Sequence, residues 1–138
     1  MTGKYRHTVD AKGRLFIPAR LRAELGQTLH IAIGMDHCLT VYSDESWEAF
    51  LDKLRALPYS KAKAMRVLLA NTTDCEPDGQ GRVLLSADLR KYAGLEKEVV
   101  IVGGLDRAEI WNAARWDEAE AERLENSSLD ELMEEMEL

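Results

Sequence analysis

Asp10-Ala-Lys-Gly-Arg-Leu-Phe-Ile-Pro-Ala-Arg-Leu-Arg22 returns 68 residues later as Asp78-Gly-Gln-Gly-Arg-Val-Leu-Leu-Ser-Ala-Asp-Leu-Arg90. Asp10, Gly13 and Arg14 fall on Asp78, Gly81 and Arg82, and Leu21, Arg22 and Gly26 fall on Leu89, Arg90 and Gly94. The trios Leu15-Phe16-Ile17 and Val83-Leu84-Leu85 agree in kind. The echo continues downstream, where Val41-Tyr42 and Trp47 parallel Ile110-Trp111 and Trp116. An internal repeat sets the architecture and is read before any single element.

Each copy reads as a strand, a turn, a return strand, a short helix and a hairpin. In the first copy a strand runs over Tyr5–Val9, Asp10-Ala-Lys-Gly13 has the residues of a turn, and Arg14–Ile17 returns. Pro18 suits the opening of a helix, where no backbone donor is lost. Leu21 and Leu25 share a face at four-residue spacing, and Gly26 stops the helix. Leu29–Ile33 and Cys38–Tyr42 read as a hairpin around Gly34-Met-Asp36. The second copy repeats this with Ser86 as cap in place of Pro18.

Between the copies, Trp47, Phe50, Leu51, Leu54 and Leu57 keep helical spacing up to Pro58. Ser60 is the expected cap of a second helix with Met65, Leu68 and Leu69 facing inward. This connector lacks the Gly/Ser or Pro bias of a flexible linker, so packed structure is expected. One copy of about 45 residues is too small for a self-sufficient core. Two copies related by a pseudo-two-fold, their strands interleaved into one closed barrel, solve that problem and hide the sheet edges.

The chain has 138 residues with a net charge of −7, 46% hydrophobic and 31% charged. That is the composition of a folded chain, with no apolar run of the roughly 20 residues a membrane span needs. The charged stretch Met1–Arg14 reads against a secretory signal. Two cysteines, Cys38 and Cys75, cannot build a disulfide framework, which points to a reducing compartment. The charge is segregated. Residues 1–22 carry Lys4, Arg6, Lys12, Arg14, Arg20 and Arg22 against Asp10 alone, whereas residues 117–138 carry ten carboxylates against Arg123. Such asymmetry suggests a polyanion-binding end and an acidic tail. The tail reads as a solvated acidic helix; folding back onto the basic end is the competing reading, since Leu129, Leu132, Met133 and Met136 have helical spacing.

The twin Asp-x-x-Gly-Arg turns, each followed by an apolar trio, a Pro or Ser and a short leucine-bearing helix, closely resemble the MraZ family of bacterial transcriptional regulators. That family is similar in fold to the swapped-hairpin AbrB class of DNA-binding domains. The likeness spans roughly residues 1–125, including Val102-Gly-Gly and Glu109-Ile-Trp111. It implies an α+β fold: a pseudo-two-fold swapped-hairpin β-barrel from two AbrB-like repeats, with a helical connector and a C-terminal helix. The expected segments are repeat one over 5–47, connector over 48–72, repeat two over 73–117 and acidic tail over 118–138. The resemblance further implies a cytoplasmic, nucleoid-associated regulator of tandem promoter boxes before the division and cell-wall gene cluster, its own promoter included. It also implies a ring-like homo-oligomer. The chain departs from the family's frequent Met-Phe-x-Gly start in reading Met1-Thr-Gly3-Lys-Tyr5.

The turn residues have physical reasons of their own. Asp10 and Asp78 can accept from backbone amides two or three residues on, and Gly13 and Gly81 permit a positive φ or a close backbone approach. Arg14 and Arg82 then project planar donor forks suited to phosphate or to the O6/N7 edge of guanine. The bland alternative is a plain Asp10–Arg14 surface pair. Lys4, Arg6, Lys12, Arg20 and Arg22 supply positive field, and the first copy is expected to dominate because Lys12 and Arg20 face Gln80 and Asp88 in the second. Double-stranded DNA is therefore the expected partner, with no membrane. A catalytic reading fails for want of a base or nucleophile beside the paired aspartates. His7, His30 and His37 keep no ligand spacing with the cysteines and read as surface or hairpin residues, so neither metal nor cofactor is expected. The competing function is a non-catalytic barrel scaffold or antitoxin-like interaction module.

Overall fold

The elements around each turn form with small shifts of boundary. The computed structural model describes residues 1–138. Its first half contains β1 (Lys4–Thr8), β2 (Arg14–Phe16), α1 (Ala19–Leu25), β3 (Leu29–Ile33), β4 (Leu39–Tyr42) and α2 (Asp44–Arg55). Two short helices follow, α3 (Tyr59–Ala62) and α4 (Met65–Ala70). Its second half contains β5 (Thr73–Cys75), β6 (Arg82–Leu84), α5 (Ala87–Tyr92), β7 (Glu98–Gly104), β8 (Arg107–Asn112), α6 (Ala113–Glu125) and α7 (Ser128–Glu135). The class is α+β with antiparallel sheets.

Six strands pair in the order β1-β7-β8-β4-β3-β5, and β2 pairs with β6 in a separate ribbon. Replacing each strand by its counterpart in the other half gives the same order read from the opposite end. The central β4–β8 ladder, Leu39 opposite Ile110 and Val41 opposite Ala108, maps onto itself under that exchange. So does the ribbon, with Arg14 opposite Leu84 and Phe16 opposite Arg82. The edge strands cross between halves: β1 pairs with β7, and β5 with β3.

The expected closed barrel does not form in the hydrogen bonding, because the large sheet ends on β1 and β5. The ribbon spends its flanking groups on itself: Ile17 N donates to Gly81 O and Leu85 N to Gly13 O, each at 2.9 Å.

Period-two alternation along the strands defines two sheet faces. The inner face carries Leu29, Ile31, Leu39, Val41, Val99, Ile101 and Ile110. These pack against Leu15 and Val83 of the ribbon and Leu21, Leu25 and Leu89 of α1 and α5. Each fully buried Leu or Ile contributes about 1.5–3 kcal/mol. On the outer face, Trp47 and Phe50 of α2 cover Ala32 and Tyr42, while Trp116 of α6 covers Val100, Val102 and Trp111. The layers thus run ribbon with α1 and α5, then sheet, then α2 and α6.

Local signals act largely as read. Gly26 ends α1 at φ +87°, and the Ser86 hydroxyl accepts from Leu89 N at the start of α5. Ser43 and Ser46 form a reciprocal cap on α2. Three readings need correction. Pro18 stands just before α1 rather than in its first turn. The connector after Pro58 is two short helices, Ser60 caps neither, and Leu69 is exposed while Met65 and Leu68 are half-buried. His30 is a hairpin residue, on β3 opposite Tyr42, but is buried and not at the surface, because its outward-facing position lies under Trp47. No helix is long and apolar enough to cross a membrane.

Candidate nucleic-acid interface

The two turns are built alike. Asp10 Oδ1 accepts from the Lys12 and Arg14 amides at 3.0 and 2.8 Å, and Oδ2 accepts from Arg14 Nε at 2.7 Å. Asp78 accepts from the Gln80 and Arg82 amides, both at 2.9 Å, and from Arg82 Nε at 3.0 Å. The amide of Arg14 above all holds the Asp10 carboxyl below its ordinary pKa against an opposing desolvation, with help from the Arg14 guanidinium and the Lys12 amide; Asp78 is lowered chiefly by the Arg82 amide, then by the Gln80 amide and the Arg82 guanidinium. Gly13 and Gly81 take φ of +85° and +79°, which a β-carbon would strain. The surface pair foreseen between Asp10 and Arg14 is real, and it ties only Nε. No hydrogen bond ties the two terminal nitrogens of either arginine, which leaves them able to meet a bidentate acceptor.

The ladder puts these arginines on one surface. Residues directly opposite in an antiparallel pair share a face. Arg14, Phe16, Arg82 and Leu84 therefore stand on the outward side of the ribbon, while Leu15 and Val83 are buried beneath it. The arginine side chains are 33% and 29% exposed, and Leu84 is 58% exposed. Lys12 and Gln80 are exposed at the two turn tips, and Arg20 is exposed on α1 where Asp88 takes its place on α5.

Not every expected base joins this surface. Arg22 borders the surface, 5.5 Å over the Phe16 ring, but is committed to the fold, its Nε donating to Ile17 O at 2.8 Å. Its guanidinium packs on Gly81, as that of Arg90 packs on Gly13. These two arginines clamp one half of the chain to the turn of the other. Lys4 and Arg6 stand with Val102 and Val100 on the outer sheet face, across the core from the ribbon. There Lys4 Nζ donates to both Glu120 carboxylate oxygens, at 2.7 and 2.9 Å, and Arg6 pairs with Asp117. The tail thus does fold back on basic residues through α6, at the face remote from the turns. Sequence reading missed this split because it depends on which face of β1 a side chain takes; the alternation Lys4-Tyr5-Arg6 was the available signal.

Sequence comparison settles the lineage of this double turn. The family model described as "MraZ protein, putative antitoxin-like" matches residues 1–69 and again residues 68–137. The chain belongs to the MraZ family. It is 50% identical to the transcriptional regulator MraZ of Moorella thermoacetica over 119 residues, covering 84% of this chain and 83% of that one. The MraZ of Carboxydothermus hydrogenoformans is 50% identical over 117 residues, covering 83% and 82% of the two chains. The MraZ of Desulfitobacterium hafniense is 48% identical over 117 residues. Both MraZ matches contain one Asp-x-x-Gly-Arg turn, so the ribbon joins the matching strands of the two family segments.

Proposed function

We propose that this chain is a DNA-binding transcriptional regulator that meets the double helix with the outward face of the β2–β6 ribbon. The observation that carries the reading is the ladder placing Arg14 and Arg82 on one exposed side, each with Nε locked by its own aspartate. A two-stranded antiparallel ribbon fits a major groove about 12 Å wide. A pre-aimed guanidinium can take the O6/N7 edge of guanine bidentately, at about 1–3 kcal/mol of discrimination per good pair. Leu84 and the edge of Phe16 complete the face with apolar surface. Lys12 and Arg20 supply phosphate contacts that fix register. Gln80 and Asp88 give the second copy less charge, so the first copy leads.

The acidic average of the chain does not oppose this. The carboxylates of α6 lie on the outer sheet face, beyond the sheet and a core layer about 10 Å thick. That separation exceeds the screening length of about 8 Å at physiological salt. We read the crossing of β1 and β5 between halves as the swapped-hairpin arrangement of AbrB-like repeats. One subunit makes few contacts, so several copies bound to tandem boxes raise the effective affinity by about 10²–10⁴. Promoter boxes of the division and cell-wall cluster, the chain's own promoter among them, are the proposed targets, with the nucleoid as its place of work.

Retardation of a fragment from the region upstream of this chain's own gene tests the reading. Arg14→Ala is expected to abolish sequence-selective retardation while the circular dichroism spectrum is kept. A parent chain that retards no fragment selectively at any salt concentration favours the scaffold reading instead.

A further inference from the structure

Two surfaces of this chain lack a partner, and their charges are opposite. The first is the connector: residues 53–73 hold Lys53, Arg55, Lys61, Lys63 and Arg66 and no acid. Arg55 turns back to Asp52 and Glu48, while Lys61, Lys63 and Arg66 are exposed around α3 and α4. Next to them in sequence, Met65, Val67 and Leu68 line a groove of about 560 Å³ on the outer sheet face, together with Tyr42 and with one base and one acid, Arg107 and Glu109. Val67 on its rim is 62% exposed. The second surface is α7. Leu129, Leu132, Met133 and Met136 form one apolar stripe along it, all four exposed, flanked by Asp130, Glu131, Glu134, Glu135 and Glu137.

Within one chain these surfaces are held apart. The connector sits over β3 and β4, where Leu68 joins the Ala32–Tyr42–Trp47 cluster. The helix leading to α7 is tied to the opposite edge of the sheet, by Asp117 to Arg6 and Glu120 to Lys4 on edge strand β1. Passing from Asp117 to Glu120, α6 moves along β1 toward the chain's N-terminus, and α7 buries none of its residues on the chain that bears it. The tail leaves along edge strand β1, whereas the groove opens over β4 and β8 at the centre of the sheet, beside the connector.

We infer that the acidic amphipathic helix α7 of one copy docks into the apolar groove beside the basic connector of a second copy. Leu129, Leu132, Met133 and Met136 fill the apolar trough as a helix in a groove, and the Lys61, Lys63 and Arg66 charges meet the carboxylates at its rim. Donor and acceptor are different surfaces of one chain, so the contact is heterologous and propagates from copy to copy. The inference rests on the multi-copy reading given above and assigns its contact.

Charge exchange in the full-length chain tests it. One variant carries Lys61→Glu, Lys63→Glu and Arg66→Glu; the other carries Glu134→Lys, Glu135→Lys and Glu137→Lys. In sedimentation velocity at near-physiological salt, each variant alone is expected to lose mass relative to the parent assembly. An equimolar mixture is expected to regain it, since each variant's tail then suits the other's groove. Variants that sediment like the parent, or a mixture that stays small, overturn the contact and leave assembly itself standing. A parent chain monomeric at tens of micromolar overturns both.

Discussion

Arg90 lies across Gly13: a β-carbon built on that glycine stands 3.0 Å from the guanidinium carbon of a residue in the other half of the chain. Arg22 repeats the relation over Gly81 at 2.8 Å. Each Asp-x-x-Gly-Arg turn is therefore shaped from within by its aspartate and roofed from outside by the partner half's helix.

Gly13→Ala and Gly81→Ala are each expected to destabilise by about 1–2 kcal/mol, chiefly through the positive φ. Arginine side chains can swing aside, so Gly13→Ala combined with Arg90→Ala keeps most of the loss. Urea unfolding reads this as a lower midpoint at unchanged slope. A double variant as stable as Arg90→Ala alone contradicts the role given to φ.

The turn carboxylates set an acid limit. Their folded pKa values lie below the ordinary 3.8, so their stabilisation is complete above that value and fades as pH falls through the lower folded values. Asp10→Asn keeps an acceptor for the two amides and is expected to preserve the turn; Asp10→Ala is not. Stability measured from pH 5 downward, against the parent, separates the two: if Asp10→Ala matches the parent at pH 5, the carboxylate does not organise the turn.

His30 gives a second pH response of opposite sign. Its Nδ1 and Nε2 stand 2.7 Å from Asp74 and Asp44, and its ring stacks on Trp47 at 5.5 Å. Burial opposes the charge most strongly, yet the bonds to Asp44 and Asp74 and their fields together raise the pKa above 6.5. With both nitrogens donating, the imidazolium staples β3 to β5 and to the start of α2. This stabilisation is complete below the unfolded value of about 6.5 and is lost as pH rises through the higher folded value. Thermal unfolding of the parent is expected to weaken across that rise, and His30→Gln to flatten the profile. An unchanged profile in His30→Gln refutes the staple.

Trp116 Nε1 is buried without a partner, whereas Trp111 Nε1 donates to Glu109 at 3.0 Å. Replacing a donor that has no acceptor removes a desolvation cost of about 1–3 kcal/mol. Trp116→Phe is thus expected to be near-neutral and Trp111→Phe destabilising. Equal losses in denaturant titrations of the two variants contradict this assignment.

Much of the fold was legible because the repeat was. Asp10, Gly13 and their counterparts announce the turns, Leu29–Ile33 forms as read, and Ser86 caps as read. Trp47 and Trp116, matched by position, do cover the same sheet face from opposite ends. Placement across the core was not legible. Lys4 and Arg6 meet acids more than 110 residues away, and only the pairing of β1 with β7 determines that they face α6 and not the ribbon. His30 lacked a ligand pattern because its partners, Asp44 and Asp74, arrive from a helix start and an exchanged strand. The separation of the ribbon from the large sheet was not legible either, since it depends on which backbone groups pair and side-chain patterns do not carry that.

The most direct test compares DNA affinities of two paired variants, Arg14→Ala with Arg82→Ala, and Lys4→Ala with Arg6→Ala, on the same promoter fragment over a salt series. The ribbon pair is expected to lose selective binding, and the β1 pair to bind like the parent with an unchanged salt slope, each lost phosphate contact otherwise lowering that slope by about 0.9. Selective binding retained without Arg14 and Arg82, or lost with Lys4 and Arg6, contradicts a DNA interface on the ribbon.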